Sequence, residues 1–166
     1  MELTTDVLLR GTEWALAIDS LAPIFKTRTN YSIFMLCIAI GIMYDKRIEK
    51  FDDIEGEEPR NVPRNVMQNN DGGKLDFMFQ AAILSTRTED LPEETRLEYA
   101  FGEKCEFKKI DFLTQFANYG VTELVKTIGE NTIESMENIK QFLSTTIEGR
   151  NFDIDSVPDD VWLDDF

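Results

Sequence analysis

Few residues in this chain have types and spacings that could do chemistry, and they point in three directions. Glu106-Phe107-Lys108 is an acid-x-Lys triplet of the kind found in metal-dependent nucleases, with Asp90 or Glu98 as upstream acids. Carboxylates so arranged would hold a divalent cation. Such sites sit on a strand pair, and this stretch has helical spacing, so a solvated mixed-charge face is the better reading. Asp153-Ile154-Asp155 followed by Asp159-Asp160 is similar to the start of a calcium loop. The central glycine and the closing bidentate glutamate of such a loop are missing. The third direction is recognition. In Val157-Pro158-Asp159-Asp160-Val161-Trp162-Leu163-Asp164-Asp165-Phe166, acids alternate with large apolar groups. This pattern is similar in style to the acidic tip of bacterial single-stranded-DNA-binding proteins, in which an aromatic enters a pocket and aspartates meet basic side chains; Trp162 and Phe166 folding back on the chain's own bundle is the equal alternative.

Other chemistries lack their residues. The chain has no histidine, the commonest general base and transition-metal ligand. No GxxxxGK[ST] or GxGxxG loop is present, and Gly72-Gly73 stands alone. Cys37 and Cys105 show no CxxC or metal-ligand spacing and read as two free thiols of a reducing compartment. No catalytic, cofactor-binding or metal residue is assigned, and the chain is expected to be non-enzymatic with no cofactor.

The placement of charge narrows the recognition reading. Of the formal net charge of −15, residues 1–50 contribute nothing, with six acids against six bases. Phe51–Glu58 carries five acids and residues 151–166 carry six, neither with a base, so two short stretches supply eleven of the fifteen. The body is close to neutral and its appendages are acidic. A DNA mimic needs carboxylates over a surface at about one per 1.7 Å of duplex, which a loop and a tail do not form. Direct nucleic-acid binding is disfavoured by net repulsion. Basic clusters at Lys26/Arg28, Lys46/Arg47/Lys50 and Lys104/Lys108/Lys109 are interleaved with acids and read as mixed-charge faces. The candidate partner-binding residues are Asp52, Asp53, Glu55, Glu57 and Glu58 in the loop. Asn118 and Tyr119 mark a corner, and Asp159, Asp160, Trp162, Asp164, Asp165 and Phe166 lie in the tail.

The elements that must position these residues are helical. Thr4 or Thr5 can cap a first helix to about Ser20, with Asp6 near its positive end and Pro23 marking the turn. Thr29 or Asn30 caps a second, which holds the apolar window Tyr31–Tyr44 and ends near Lys46-Arg47. A fourteen-residue window falls short of the roughly twenty apolar residues of a membrane span. This is the expected central helix, with Gly41 admitting a close neighbour at about 1 kcal/mol of propensity. Residues 51–73 read as loop, with a short turn around Val62–Met67, because Gly, Pro and Asn are too dense for a regular element. Helices follow over Leu75–Thr86 and from Pro92 to about Phe101. Another spans Ile110–Ile128 with a kink at Asn118-Tyr119-Gly120, and the last runs from Ile133 to about Thr146. With no sustained strand alternation, the fold class is all-α. It is a single-domain bundle of about five to six helices over 1–148, followed by the acidic aromatic tail 149–166. The 42% hydrophobic content, with twelve phenylalanines, is ample for one core. The N-terminal residues lack the pattern of a signal peptide, and a soluble, cytoplasmic protein is expected.

Three segments carry a family resemblance. Phe34-Met35-Leu36-Cys37-Ile38-Ala39-Ile40-Gly41 resembles an apolar helix ending in an Ala-x-Gly step. Leu75–Leu91 resembles a helix of small apolar residues followed by a Thr and an acid. Phe112-Leu113-Thr114-Gln115-Phe116-Ala117-Asn118-Tyr119-Gly120 is similar to a phenylalanine-led "YANGG"-like step, with Tyr119 where a glycine is expected. Together, over about residues 25–128, they resemble Dnd system-associated protein 4, a family of small proteins of bacterial DNA phosphorothioation loci. The resemblance implies a helical accessory protein of a DNA-modification or anti-phage defence system that contacts a larger protein component, with no catalytic residues to carry over. Acidic inhibition of a DNA-binding protein and a minimal metal-dependent nuclease are the alternatives.

Overall fold

The computed structural model describes residues 1, 3–27, 29–51, 58–86, 91–102 and 105–148, without the side chains of 146–148. Among these residues the fold is a helical bundle with one small antiparallel sheet. The strands are β1 (Val7–Leu9) and β2 (Arg60–Val62), with Leu8 opposite Asn61. The helices are α1 (Thr12–Phe25), α2 (Thr29–Tyr44), α3 (Arg64–Asn70), α4 (Lys74–Ser85), α5 (Glu93–Phe101), α6 (Lys109–Leu124) and α7 (Thr132–Glu148), with a 3-10 turn at Val125–Thr127.

The apolar periodicity of the sequence is realised in α2, α4, α5, α6 and α7. The α2 helix is apolar on all sides and lies at the centre, with Ile33, Phe34, Cys37, Ile38 and Ile40 buried. Its C-terminus closes with Lys46 N–H on the Gly41 carbonyl and Asp45 N–H on the Ile42 carbonyl. Asp45 occupies the left-handed position of that motif at φ 52°. The α6 helix packs antiparallel on α2. A Cβ on Gly41 would lie 2.1 Å from the Phe116 carbonyl oxygen, and one on Gly120 would lie 1.9 Å from the Cys37 carbonyl oxygen. Each helix thus offers one glycine to the other's backbone. Gly120 is a packing residue inside α6, which runs as helix through Asn118-Tyr119-Gly120.

Three expectations fail in the first half of the chain. Val7–Leu9 is a strand and no helix starts at Thr4 or Thr5. Val7 and Leu9 are buried while Leu8 is 48% exposed, a three-residue alternation whose partner lies more than fifty residues away. Gly11, at φ 100°, turns the chain into α1, a conformation that needs no Cβ. Asp6 does serve a helix start, but that of α3, accepting the Arg64 N–H at 2.8 Å and an amide N–H of Asn61 at 3.1 Å. Pro23 lies inside the last turn of α1, where its missing N–H interrupts only a short remnant of helix. The stretch read as loop holds β2 and α3, and Asp71 then organises the entry to α4. Its carboxylate accepts from Leu75 N–H, Gly73 N–H and the Tyr31 hydroxyl at 3.0, 3.1 and 2.9 Å.

The remaining helix ends are tied by side chains. Arg96 of α5 donates to the Ile83 carbonyl at 2.9 Å and to the Leu84 carbonyl, satisfying the open end of α4. Asn131 caps α7 by accepting from Ile133 and Glu134 N–H. The core gathers Trp14, Phe34, Phe79 and Phe116, all fully buried. A chain of ring contacts runs from Tyr99 through Phe107 and Phe112 to Phe116.

Candidate functional site

Asn118 and Tyr119 sit next to each other on α6 and have opposite fates. Asn118 is 6% exposed. Its Oδ1 accepts the Trp14 indole N–H at 3.0 Å, and its Nδ2 donates to the Ile48 carbonyl at 3.2 Å. A buried indole requires a partner, and Asn118 supplies one while holding the 45–51 segment against α6. It faces the core, so it is not part of an exposed corner.

Tyr119 is half-buried. Its hydroxyl donates to Glu123 at 3.0 Å, and Lys126 donates to both oxygens of the same carboxylate at 2.8 Å. Burial pushes the Glu123 carboxyl up, but the bonds from Lys126 and Tyr119 outweigh it and hold the group below the usual carboxylate range. Burial and the Glu123 bond push the Tyr119 phenol up. Lys46 lies over the Tyr119 ring, 5.3 Å from its centre, and Arg47 lies over Phe112 at 5.1 Å. The cations of the 46–47 cluster thus lie over aromatic faces.

Glu106 and Lys108 are exposed and lie in the non-helical link between α5 and α6, so the helical spacing assigned to that stretch is not realised. The link is not a strand pair either. Glu106 lies against Tyr99, whose phenol is pushed up by burial and by that carboxylate. Glu98 is exposed on α5 and Asp90 is outside the described residues. Among the described residues no three His, Cys, Asp or Glu side chains are grouped as a metal would need, and no helix is long and apolar enough to cross a membrane. Cys37 is buried and its thiol is pushed well up by desolvation; Cys105 is half-buried.

Of the acidic loop, Glu58 is described and exposed. Asp52, Asp53, Glu55 and Glu57 lie outside the described residues, as do Asp159, Asp160, Trp162, Asp164, Asp165 and Phe166.

The structure adds two surfaces that the spacing of residues did not reveal. One is a groove between β1 and the start of α6. A cavity of about 720 Å³ is walled by Thr4–Leu8 on one side and by Cys105, Lys108, Lys109 and Thr114 on the other. A second, of about 330 Å³, continues past Leu8 and Thr114 to Arg10, Lys50 and Asn118. No β2 residue lines either cavity, so the groove lies on the side of β1 away from β2. The other surface is apolar: Phe77 and Leu84 on α4, and Leu97 and Phe101 on α5, are 38–68% exposed. The signal for it was Phe77, which falls off the buried face of Leu75, Phe79, Ala82 and Ile83. Among family models, curated proteins and solved structures, none matches the chain.

Proposed function

We propose that this chain is a non-enzymatic accessory protein that works by docking on a larger protein. The supporting observation is the pair of helices α4 and α5, which pack on each other and leave four large apolar side chains exposed, Phe77 and Phe101 by about two thirds. Phe77 and Leu84 are seven residues apart and Leu97 and Phe101 four, so each pair shares a helix face. Large apolar side chains left exposed on two packed helices have the composition of an interface core. The acidic stretches around Glu58 and in 151–166 would speed the encounter with a basic partner. The resemblance to the phosphorothioation-associated family makes a DNA-modification or anti-phage defence locus the proposed setting. The test is co-purification of the tagged chain with the products of neighbouring genes. A stoichiometric complex that Phe77→Ser and Phe101→Ser weaken, with helicity unchanged, is expected. A chain that binds none of those products overturns the reading.

A further inference from the structure

We infer that the outward face of α7 is a self-association surface, on which a second copy of the chain lays its own α7 antiparallel across a two-fold axis. This is independent of the docking proposed above for α4 and α5. The α7 helix packs on α1 and the 3-10 turn, whereas α4 and α5 pack on each other, and α4 on α2 and α6.

A helix on the surface of a bundle needs one apolar stripe, and α7 carries two. The inner stripe is Ile139 and Phe142, packed against the core beside buried Ser135. Phe142 also stacks on Tyr44, with ring centres 6.4 Å apart. The outer stripe is Ile133, Met136, Lys140 and Leu143, spaced 3, 4 and 3 residues apart. At 3.6 residues per turn it is centred about 110° around the helix from the inner one. Ile133 is 66% exposed and Met136 51%; Lys140 is exposed and Leu143 partly so. The spacing is that of the a and d positions of a heptad, the seam along which two helices pair. A lysine at an a position costs stability and fixes register and orientation.

Charge selects a second copy as the occupant and sets its direction. Glu137 is exposed on the flank of the seam. Among the described residues neither Glu137 nor Lys140 has an ion-pair partner. Glu134, the other acid of the seam's length, accepts the Glu130 N–H at 2.8 Å. A parallel pairing would set Lys140 against the partner's Lys140. Reversal about the midpoint of the seam, at Asn138, places Lys140 two residues past the axis and the partner's Glu137 one residue past it on the same side. Their levels then differ by about 1.5 Å, so the ammonium reaches the carboxylate, and the two-fold axis makes the pair twice. Ile133 meets the partner's Leu143 by the same operation. One helix pair about 24 Å long belongs below about 1,200 Å² among specific interfaces, and a dissociation constant on the order of 10–100 μM is expected.

Sedimentation equilibrium of the full chain, from well below to well above that constant, is the test. At ~0.15 M salt the Debye length of about 8 Å screens the two net charges from each other. The mass should rise from 19.1 kDa to twice that value. Ile133→Ser/Met136→Lys, at two exposed positions, should hold the chain monomeric with a native circular dichroism spectrum. Lys140→Glu and Glu137→Lys should each weaken the dimer by about tenfold or more, because each change acts at both symmetric pairs. Mixed together, those two single variants should form a mixed dimer, since every Lys–Glu contact across it is again of opposite sign. The doubly swapped chain, Glu137→Lys/Lys140→Glu, should recover the native affinity. A chain that stays monomeric throughout would overturn the inference. So would a dimer indifferent to Ile133→Ser/Met136→Lys, which places the second copy on another face, or a double swap that recovers nothing.

Discussion

Replacing Gly41 by alanine sets two well-defined effects against each other, and the structure decides the sign. In an isolated helix the change is stabilising by about 1 kcal/mol, the propensity gap between the two residues. In this bundle the new Cβ lies 2.1 Å from the Phe116 carbonyl oxygen and 2.9 Å from its Cα. Those atoms are backbone inside α6, so no side-chain rotation relieves the overlap. Restoring a separation of about 3.5 Å moves the helices apart by more than about 1 Å, which forfeits a quarter to a half of each dispersion contact along the seam. That seam holds Phe34, Cys37 and Ile38 against Leu113, Phe116 and Val121, all buried. Overpacking of this kind costs about 1–3 kcal/mol where a core can adjust and more where it cannot. Net of propensity, Gly41→Ala is expected to destabilise the chain by about 2–4 kcal/mol, a large share of a domain's total stability. Urea unfolding followed by circular dichroism should show a midpoint lower by about 1–2 M at an unchanged slope. Gly120→Ala, which meets the Cys37 carbonyl, should behave alike. The double variant should lose less than the sum, because the helices need separating only once. A midpoint that rises on Gly41→Ala would show that the helices do not meet at these glycines.

Other consequences are more local. Asn118→Ala leaves the Trp14 N–H and the Ile48 carbonyl buried without their bonds and should cost about 1–3 kcal/mol. Trp14→Phe on that background should cost less than on the native chain, as a double-mutant cycle would show. Because the Glu123 carboxyl is held below its usual range in the folded state, its contribution is complete above about pH 4.3 and is lost as pH falls through the lowered value. Glu123→Gln should therefore flatten the acid limb of a stability-against-pH profile. The Cys37 thiol is pushed up by burial, so folding resists its ionisation and stability should fall as pH rises past the ordinary thiol range, about 8.5. Cys37→Ser, compared in slope and not in absolute stability, should lack that alkaline decline.

The helical half of the fold was legible because its evidence is local. Periodic apolar residues marked α2, α4, α6 and α7 to within a few residues, and Gly41 was recognisable as a close-approach residue because its helix is otherwise apolar. Gly120 was not, since its partner is the Cys37 backbone, a contact that no spacing on α6 encodes. The sheet was missed for the same reason: three residues alternate too briefly to register, and β1 becomes a strand only because Arg60–Val62 lies alongside. Asn118 drew attention as a polar residue on an apolar helix. Whether such a residue faces a partner or the core depends on Trp14, more than a hundred residues away. The groove was invisible because its walls come from two segments brought together by folding, whereas the acidic stretches could be read directly.

The proposed action of this chain is docking, through the apolar face of α4 and α5, on a protein of its own locus. Light scattering on the purified chain mixed with each neighbouring gene product measures this directly. A complex of fixed stoichiometry with one of them is expected, lost on Phe77→Ser and Phe101→Ser while the circular dichroism spectrum stays native. A chain that elutes free of every such product, or a complex indifferent to both substitutions, contradicts it.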